Sequence, residues 1–233
     1  MTKLTCVSGY WSVKNKHGDS FENWFQKSLK INCAYIFFGD RDSLKIIKKY
    51  RCELPTQYIE LNIKDFYTYR YRDRFIIDHT HCPSVELNLI WNEKIFLLKE
   101  ALNIDRFLSE FYCWIDAGIC VYRNKKPPQK PFPNVKKLNR LPKNKFIYSS
   151  SNPLNKEKIN VENYYHHISG TSYIVDRNFV HEFSDIYAYY LDKLTIHKNI
   201  WTDQLILSHI YKDREDLFHK LCNGYGNLIP RLY

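Results

Sequence analysis

Leu4 to Val7 is a short apolar run with β-branched content, closed by Ser8-Gly9, and it predicts a first strand. The polar loop SGYWSVKNKHGD follows. Asp19 then opens a helix, because Glu22 three residues later completes a capping box and Phe21, Trp24, Phe25 and Leu29 fall on one face. CAYIFFGD, residues 33–40, predicts a buried strand ending in Gly-Asp. DSLKIIKKY predicts a short basic helix, and QYIELNI, residues 57–63, a third strand. KDFYTYRYRDRFIIDHTHC is aromatic and basic and reads as an ordered loop with short helical pieces. Pro83 starts a long helix, with Leu87, Trp91, Ile95, Leu98 and Leu102 at helical spacing. FYCWI, residues 111–115, predicts a fourth strand that leads to Asp116. Continuously apolar strands alternating with helices predict an α/β fold whose sheet is covered on both faces and is mainly parallel in its N-terminal half.

The texture changes after Tyr122. RNKKPPQKPFPNVKKLNRLPKNK, residues 123–145, is rich in Pro and Lys and poor in apolar positions, and reads as a surface loop. It is not a domain boundary, because FIYSSS after it predicts another strand; the expectation is a single domain over residues 1–233. ISGTSYIV predicts a further strand whose glycine permits close backbone approach. Asp176 is expected to cap a helix with Phe179, Phe183, Ile186, Tyr187 and Tyr190 on its core face. Thr202 is expected to cap the last clear helix, with Trp201 and Ile206 placed as a hydrophobic staple.

Composition narrows the partners more than the fold. The net charge of +10 over 233 residues favours polyanionic or phosphate-bearing partners, and a basic surface also allows peripheral membrane contact. Aromatics reach 16%, which serves either a Tyr-rich core or the stacking of flat ligands. The seven cysteines are odd in number and form no Cys-x-x-Cys, which fits a reduced, cytoplasmic chain rather than a disulfide scaffold. The apolar run at the start is too short for a signal peptide, and no stretch is long enough for a transmembrane helix.

Asp116 is the first candidate for chemistry. It ends an apolar strand, where open α/β sheets bind ligands, and Ala117 and Gly118 let a ligand approach the backbone beside it. Ser8, Gly9, Tyr10 and Trp11 end strand one in the same way, as do Gly39 and Asp40. A carboxylate at position 116 suits a divalent cation on a diphosphate or a sugar hydroxyl. Asp203 lies in the first turn of its helix, on a face shared with Leu207 and Ile210, and so points inward. Asp78-His79-Thr80-His81-Cys82 carries metal-capable groups but lacks a spaced second half. No Gly-x-Gly-x-x-Gly, P-loop or Gly-x-Ser-x-Gly occurs, which argues against a dinucleotide oxidoreductase, a P-loop NTPase and an elbow-type hydrolase.

The stretch WIDAGI, preceded by ELNLIWNEK on the long helix and followed far downstream by WTDQLIL, resembles the HtrL/WlaTC-like family of glycosyltransferases. The order of elements resembles the wider GT-A fold, a Rossmann-related mixed sheet flanked by helices. The resemblance implies transfer of a sugar from a nucleotide-diphosphate donor, most simply a UDP-sugar, to a hydroxyl of a glycan or glycoconjugate. It places Asp116 at the donor, where this single carboxylate could still ligate a Mn²⁺ or Mg²⁺ that keeps several waters, and Asp203 as the general base of an inverting hexosyltransferase. Asp-x-Asp, the usual metal motif, is here Asp116-Ala117-Gly118, and the missing second Asp puts metal dependence in doubt. Arg70, Arg72 and Arg74 are then candidates to neutralise the leaving diphosphate. His166, His167, Ser169 and Gly170 are candidate sugar contacts, with at most one of the adjacent histidines in the site. Tyr10 or Trp11 is placed to stack on uracil or to serve the core. The basic loop 123–145 is placed to close over the donor as a lid. The rival readings are a non-catalytic basic protein that binds nucleotides or nucleic acid, and a glycosyltransferase that has lost turnover; no specific nucleic acid is expected.

Overall fold

The structure, a computed structural model, describes residues 3–18 and 20–233. Its frame is one seven-stranded sheet with helices on both faces. The strands are β1 (Leu4–Gly9), β2 (Tyr35–Gly39), β3 (Thr56–Glu60), β4 (Phe111–Ile115), β5 (Phe146–Ser150), β6 (Ile168–Asp176) and β7 (Phe218–Asn223). The helices are α1 (Ser20–Ser28), α2 (Arg41–Arg51), α3 (Val85–Ile104), α4 (Val135–Leu138), α5 (Val180–Leu194), α6 (Asp203–Asp213) and α7 (Leu228–Leu232). The strand order is β3-β2-β1-β4-β6-β5-β7. β1 to β4 run parallel, β6 is antiparallel to both β4 and β5, and β7 pairs parallel with β5. This is the mixed, mainly parallel sheet of a GT-A-like fold.

The strands read as unbroken apolar runs because each side of the sheet has its own core. Val7, Ile36, Phe38, Tyr112 and Trp114 pack towards α3, α5 and α6. Their chain neighbours Cys6, Phe37, Phe111, Cys113 and Ile115 pack on the other side with Phe25, Leu29, Leu44 and Ile47. Alternation along β4 therefore carries Trp114, and two residues later Asp116, to the α3 side.

Several boundaries differ from expectation. The capping box at Asp19 lies outside the described residues. α3 is capped by Ser84, whose hydroxyl accepts from the Leu87 N–H at 3.2 Å, so Pro83 precedes the cap instead of opening the first turn. Asp176 ends β6 and holds a turn by accepting from the Asn178 N–H at 3.0 Å; α5 begins only at Val180. Thr202 caps α6 as expected. β7 was not legible in the sequence. It is an edge strand with an exposed His219-Lys220 pair, so no apolar run marks it. Segment 123–145 is packed down: Phe132, Leu138 and Leu141 are buried, and the Phe132 and Asn134 amides donate to the carbonyls of Asn32 and Leu232.

Candidate active site

A cleft of about 390 Å³ opens at the carboxyl ends of β1 and β4. Gly9, Tyr10 and Trp11 reach it from β1, Asp116, Ala117 and Gly118 from β4, and Thr171 from β6. The loop after β1 adds Lys16 and His17, α3 adds Trp91 and Lys94, and α6 adds Asp203 and Gln204.

At its floor a buried ammonium joins the two candidate carboxylates. Lys94 Nζ lies 3.0 Å from Asp116 Oδ1 and 3.0 Å from Asp203 Oδ2, and donates to the Gly170 carbonyl at 3.0 Å. Trp114 Nε1 donates to Asp116 Oδ1 at 2.8 Å, so Oδ1 takes both bonds and Oδ2 neither. The Asp116 backbone N–H is held by the Thr171 carbonyl at 2.9 Å. The two aspartates differ in access: the Asp116 side chain is 33% exposed and that of Asp203 only 4%. Burial raises the Asp203 carboxyl to about 6, with the Lys94 charge pulling the other way. Burial also works against the charge on Lys94, but the two aspartates outweigh it and hold the ammonium above its usual range.

Local sequence explains how these groups meet. α3 is apolar almost all round, and its buried Asn92, Glu93 and Lys94 each find partners. Glu93 accepts the Tyr67 and Thr68 amides at 2.9 Å each, and Asn92 donates to the Trp201 carbonyl at 2.8 Å. Asp203 follows the Thr202 cap, where a helix terminus favours negative charge. Gly170 must be glycine for Asp203 to sit here, since a Cβ would lie 2.4 Å from Asp203 Oδ2.

The residues singled out in the sequence separate into those in the cleft and those elsewhere. Asp116, Asp203, Gly9, Ala117 and Gly118 line it. Tyr10 and Trp11 line it too, yet Trp11 is 3% exposed and donates to the Leu61 carbonyl at 2.8 Å, a packed rather than a presented ring. Ser8 is fully buried in β1 and does not line the cleft. His167 is buried behind the strand, between Tyr148 Oη at 3.1 Å and the Asn152 carbonyl at 2.8 Å. His166 is held by Ser151 Oγ at 2.8 Å, and burial lowers it to about 4. Ser169 bonds Thr171 Oγ1 at 3.0 Å within β6. Gly170 meets Asp203 and Lys94, not open space. Arg70, Arg72 and Arg74 are not brought to the cleft; they stand on and just after the 3₁₀ turn Tyr67–Tyr71, where Arg70 and Arg74 border a separate shallow pocket. Of the expected lid only Arg123 lines the cleft, its guanidinium stacked 3.7 Å from the Trp24 ring and its Nε donating to the Gly118 carbonyl at 2.9 Å. No motif marks Lys16 in the sequence; for Lys94 the one signal is a lysine inside the apolar repeat of the long helix.

The donor set does not fit Mn²⁺ or Mg²⁺ between the aspartates. Such ions want several oxygens around them, and here Lys94 fills the space between the two carboxylates. Among the described residues, no group of three or more His, Cys, Asp or Glu converges on a common point. No helix among them is long and apolar enough to cross a membrane.

A solved structure shares this architecture. Mouse xyloside xylosyltransferase 1, in its apo form, superposes with a TM-score of 0.55 at 14% identity, covering 94% of this chain and 84% of that one. A 4-diphosphocytidyl-2C-methyl-D-erythritol synthase from Anaerococcus prevotii matches with a TM-score of 0.45 at 14% identity, over 98% of this chain and 90% of that one. The glycosyltransferase GlyE of Streptococcus pneumoniae matches with a TM-score of 0.46 at 10% identity, over 94% of this chain and 45% of that one. The last two similarities are too low to bear on the fold. No curated protein matches the sequence. The model of the HtrL_YibB family, described as a bacterial protein of unknown function, matches residues 75–229, which include Lys94, Asp116, Gly170 and Asp203. The chain belongs to the HtrL_YibB family.

Proposed function

We propose that this protein is a glycosyltransferase that moves a sugar, a hexose in the simplest case, from a nucleotide-diphosphate donor of the UDP type to a hydroxyl of a glycan or glycoconjugate. The observation that carries the reading is the Asp116–Lys94–Asp203 cluster on the floor of a cleft at the carboxyl end of β4. Ligands of open α/β sheets bind at that end of the strands. The fold is shared with a protein whose name states sugar transfer to a xyloside, which is consistent with the same class of reaction.

In this reading Asp116, the more exposed carboxylate, meets the donor sugar or ribose through its Oδ2. Lys94 holds Asp116 and Asp203 in place and keeps two negative charges compatible in one buried spot. Asp203 is the base. A carboxyl raised to about 6 is ionised at neutral pH and still basic enough to take a proton, which is the match that general-base catalysis favours. The acceptor hydroxyl loses its proton to Asp203 as its oxygen bonds to the anomeric carbon. The bond from that carbon to the diphosphate breaks, its electron pair leaves with the nucleoside diphosphate, and the configuration inverts. Asp116→Asn should abolish transfer and donor hydrolysis in a nucleotide-sugar panel while the melting curve stays cooperative. Retained activity would remove Asp116 from the chemistry.

A further inference from the structure

The charges in the cleft are unevenly distributed. On the floor, one ammonium faces two carboxylates, so the cluster as a whole is negative once both aspartates are ionised. A diphosphate brought there alone would be repelled. Nearer the mouth, Lys16 and Arg123 line the same cleft, and none of the ion pairs among the described residues involves either. Lys16 leaves the loop that follows β1, and Arg123 follows the 3₁₀ turn Cys120–Tyr122 after β4. β1 and β4 are neighbours in the sheet, so the two cations come from adjacent strand ends. Each is held by its surroundings. Lys16 Nζ lies 3.3 Å from His81 Nδ1, and the Arg123 guanidinium is pinned by the Trp24 ring and the Gly118 carbonyl, with its two Nη atoms taking no hydrogen bond among the described residues. Partial burial, with repulsion from Arg123, lowers Lys16, and burial lowers Arg123. Beside them His17 and His81 are pushed towards the neutral imidazole, chiefly by burial, and keep ring N–H groups to donate.

We propose that Lys16 and Arg123 form the site for the diphosphate of the donor, supplying the positive charge that a divalent cation would otherwise bring. This rests on the nucleotide-sugar reading for the identity of the donor, but the anion site itself does not. A planar guanidinium suits two phosphate oxygens at once, and a lysine serves as a movable point charge. Both would act most strongly as negative charge grows on the leaving group. The inference also gives a reason why position 118, where a second aspartate would stand, can be glycine. A side chain there would strike the Trp24 ring at 2.9 Å, and that ring is the one supporting Arg123.

Calorimetric titration tests this with inorganic pyrophosphate and with UDP, CDP and GDP, each in EDTA and again with Mn²⁺. The proteins are the wild type, Lys16→Gln and Arg123→Gln, with melting curves to verify folding. The expected result is metal-free binding of pyrophosphate that weakens about tenfold or more in each variant, since each loses a charge-assisted contact. Pyrophosphate binding that requires Mn²⁺, that is absent from the wild type, or that is equal in wild type and variants would overturn the site. If pyrophosphate behaves as expected but no nucleoside diphosphate binds more tightly, the anion site stands and the nucleotide-sugar reading fails.

Discussion

Arg70, Arg72 and Arg74 crowd one short segment, yet the structure spends them locally. Each guanidinium lies over the tyrosine three residues before it, Tyr67 at 3.9 Å, Tyr69 at 4.8 Å and Tyr71 at 5.2 Å, as one helical turn dictates. Arg74 also pairs with Asp192 at 2.9 Å, and Arg72 lies 3.6 Å from Asp73. Lys16, Lys94 and Arg123 are scattered along the chain and converge on one cleft. Density of charge in sequence is therefore a poor guide to where charge can act. Place separates the two groups more than pairing does: Arg70, Arg72 and Arg74 stand away from the cleft, whereas Lys16 and Arg123 line it and pair with no carboxylate among the described residues.

The comparison can be broken most sharply at Lys94. Lys94→Met leaves the buried Asp203 carboxylate without its cation and beside the more exposed Asp116, and losing the partner of a buried charge costs about 3–5 kcal/mol. At this chain length that is a fall in melting temperature on the order of 10 °C. Adding Asp203→Asn to Lys94→Met should restore part of it, because the stranded charge is removed. A melting temperature unchanged by Lys94→Met would mean that the cluster is not held as described.

A smaller effect concerns pH. Asp203 has its folded pKa raised from 3.8 to about 6, so it must lose its proton near pH 6 before it can accept one from a hydroxyl. Transfer, read as kcat/KM, should fall as pH drops through about 6, where an ordinary aspartate would sustain it to lower pH. The sign for stability is opposite to that of a salt-bridged surface aspartate. The folded state holds this proton more tightly than the unfolded chain, so the contribution of this carboxyl to stability decreases as pH rises from 3.8 to about 6. An acid limb that persists in Asp203→Asn, measured on its residual activity, would assign the limb to another group.

The smallest effect is expected at the crowded arginines. Replacing Arg70, Arg72 and Arg74 together by Gln should leave donor binding within about twofold and cost little stability, because exposed ion pairs contribute little. A loss of donor affinity comparable to that of Lys16→Gln would erase the distinction between the two basic regions.

The sheet and its strand-end carboxylate were legible because apolar runs and helical spacing report burial directly. WIDAG marks β4 and Asp116, and Thr202-Asp203 marks the start of α6. Lys94 was hidden because the apolar spacing of Leu87, Trp91 and Ile95 describes a core helix, and nothing local tells a lysine on it that two aspartates will arrive from distant strands and helices. Segment 123–145 lies on the surface as its lysines and prolines suggest, but its composition does not reveal that three spaced apolar residues, Phe132, Leu138 and Leu141, anchor it. His167 misled because a strand adjacent to the site has two faces, and its side chain belongs to the one packed on Tyr148 and Tyr211.

The most direct test of the central claim is the release of nucleoside diphosphate from a panel of nucleotide sugars by wild type and Asp116→Asn, purified side by side. The account predicts release from one nucleotide family by the wild type and a loss of about 10³-fold or more in the variant, with both proteins folded. No release from any donor, or equal release by both proteins, would contradict it and leave the cluster at the end of β4 a structural feature.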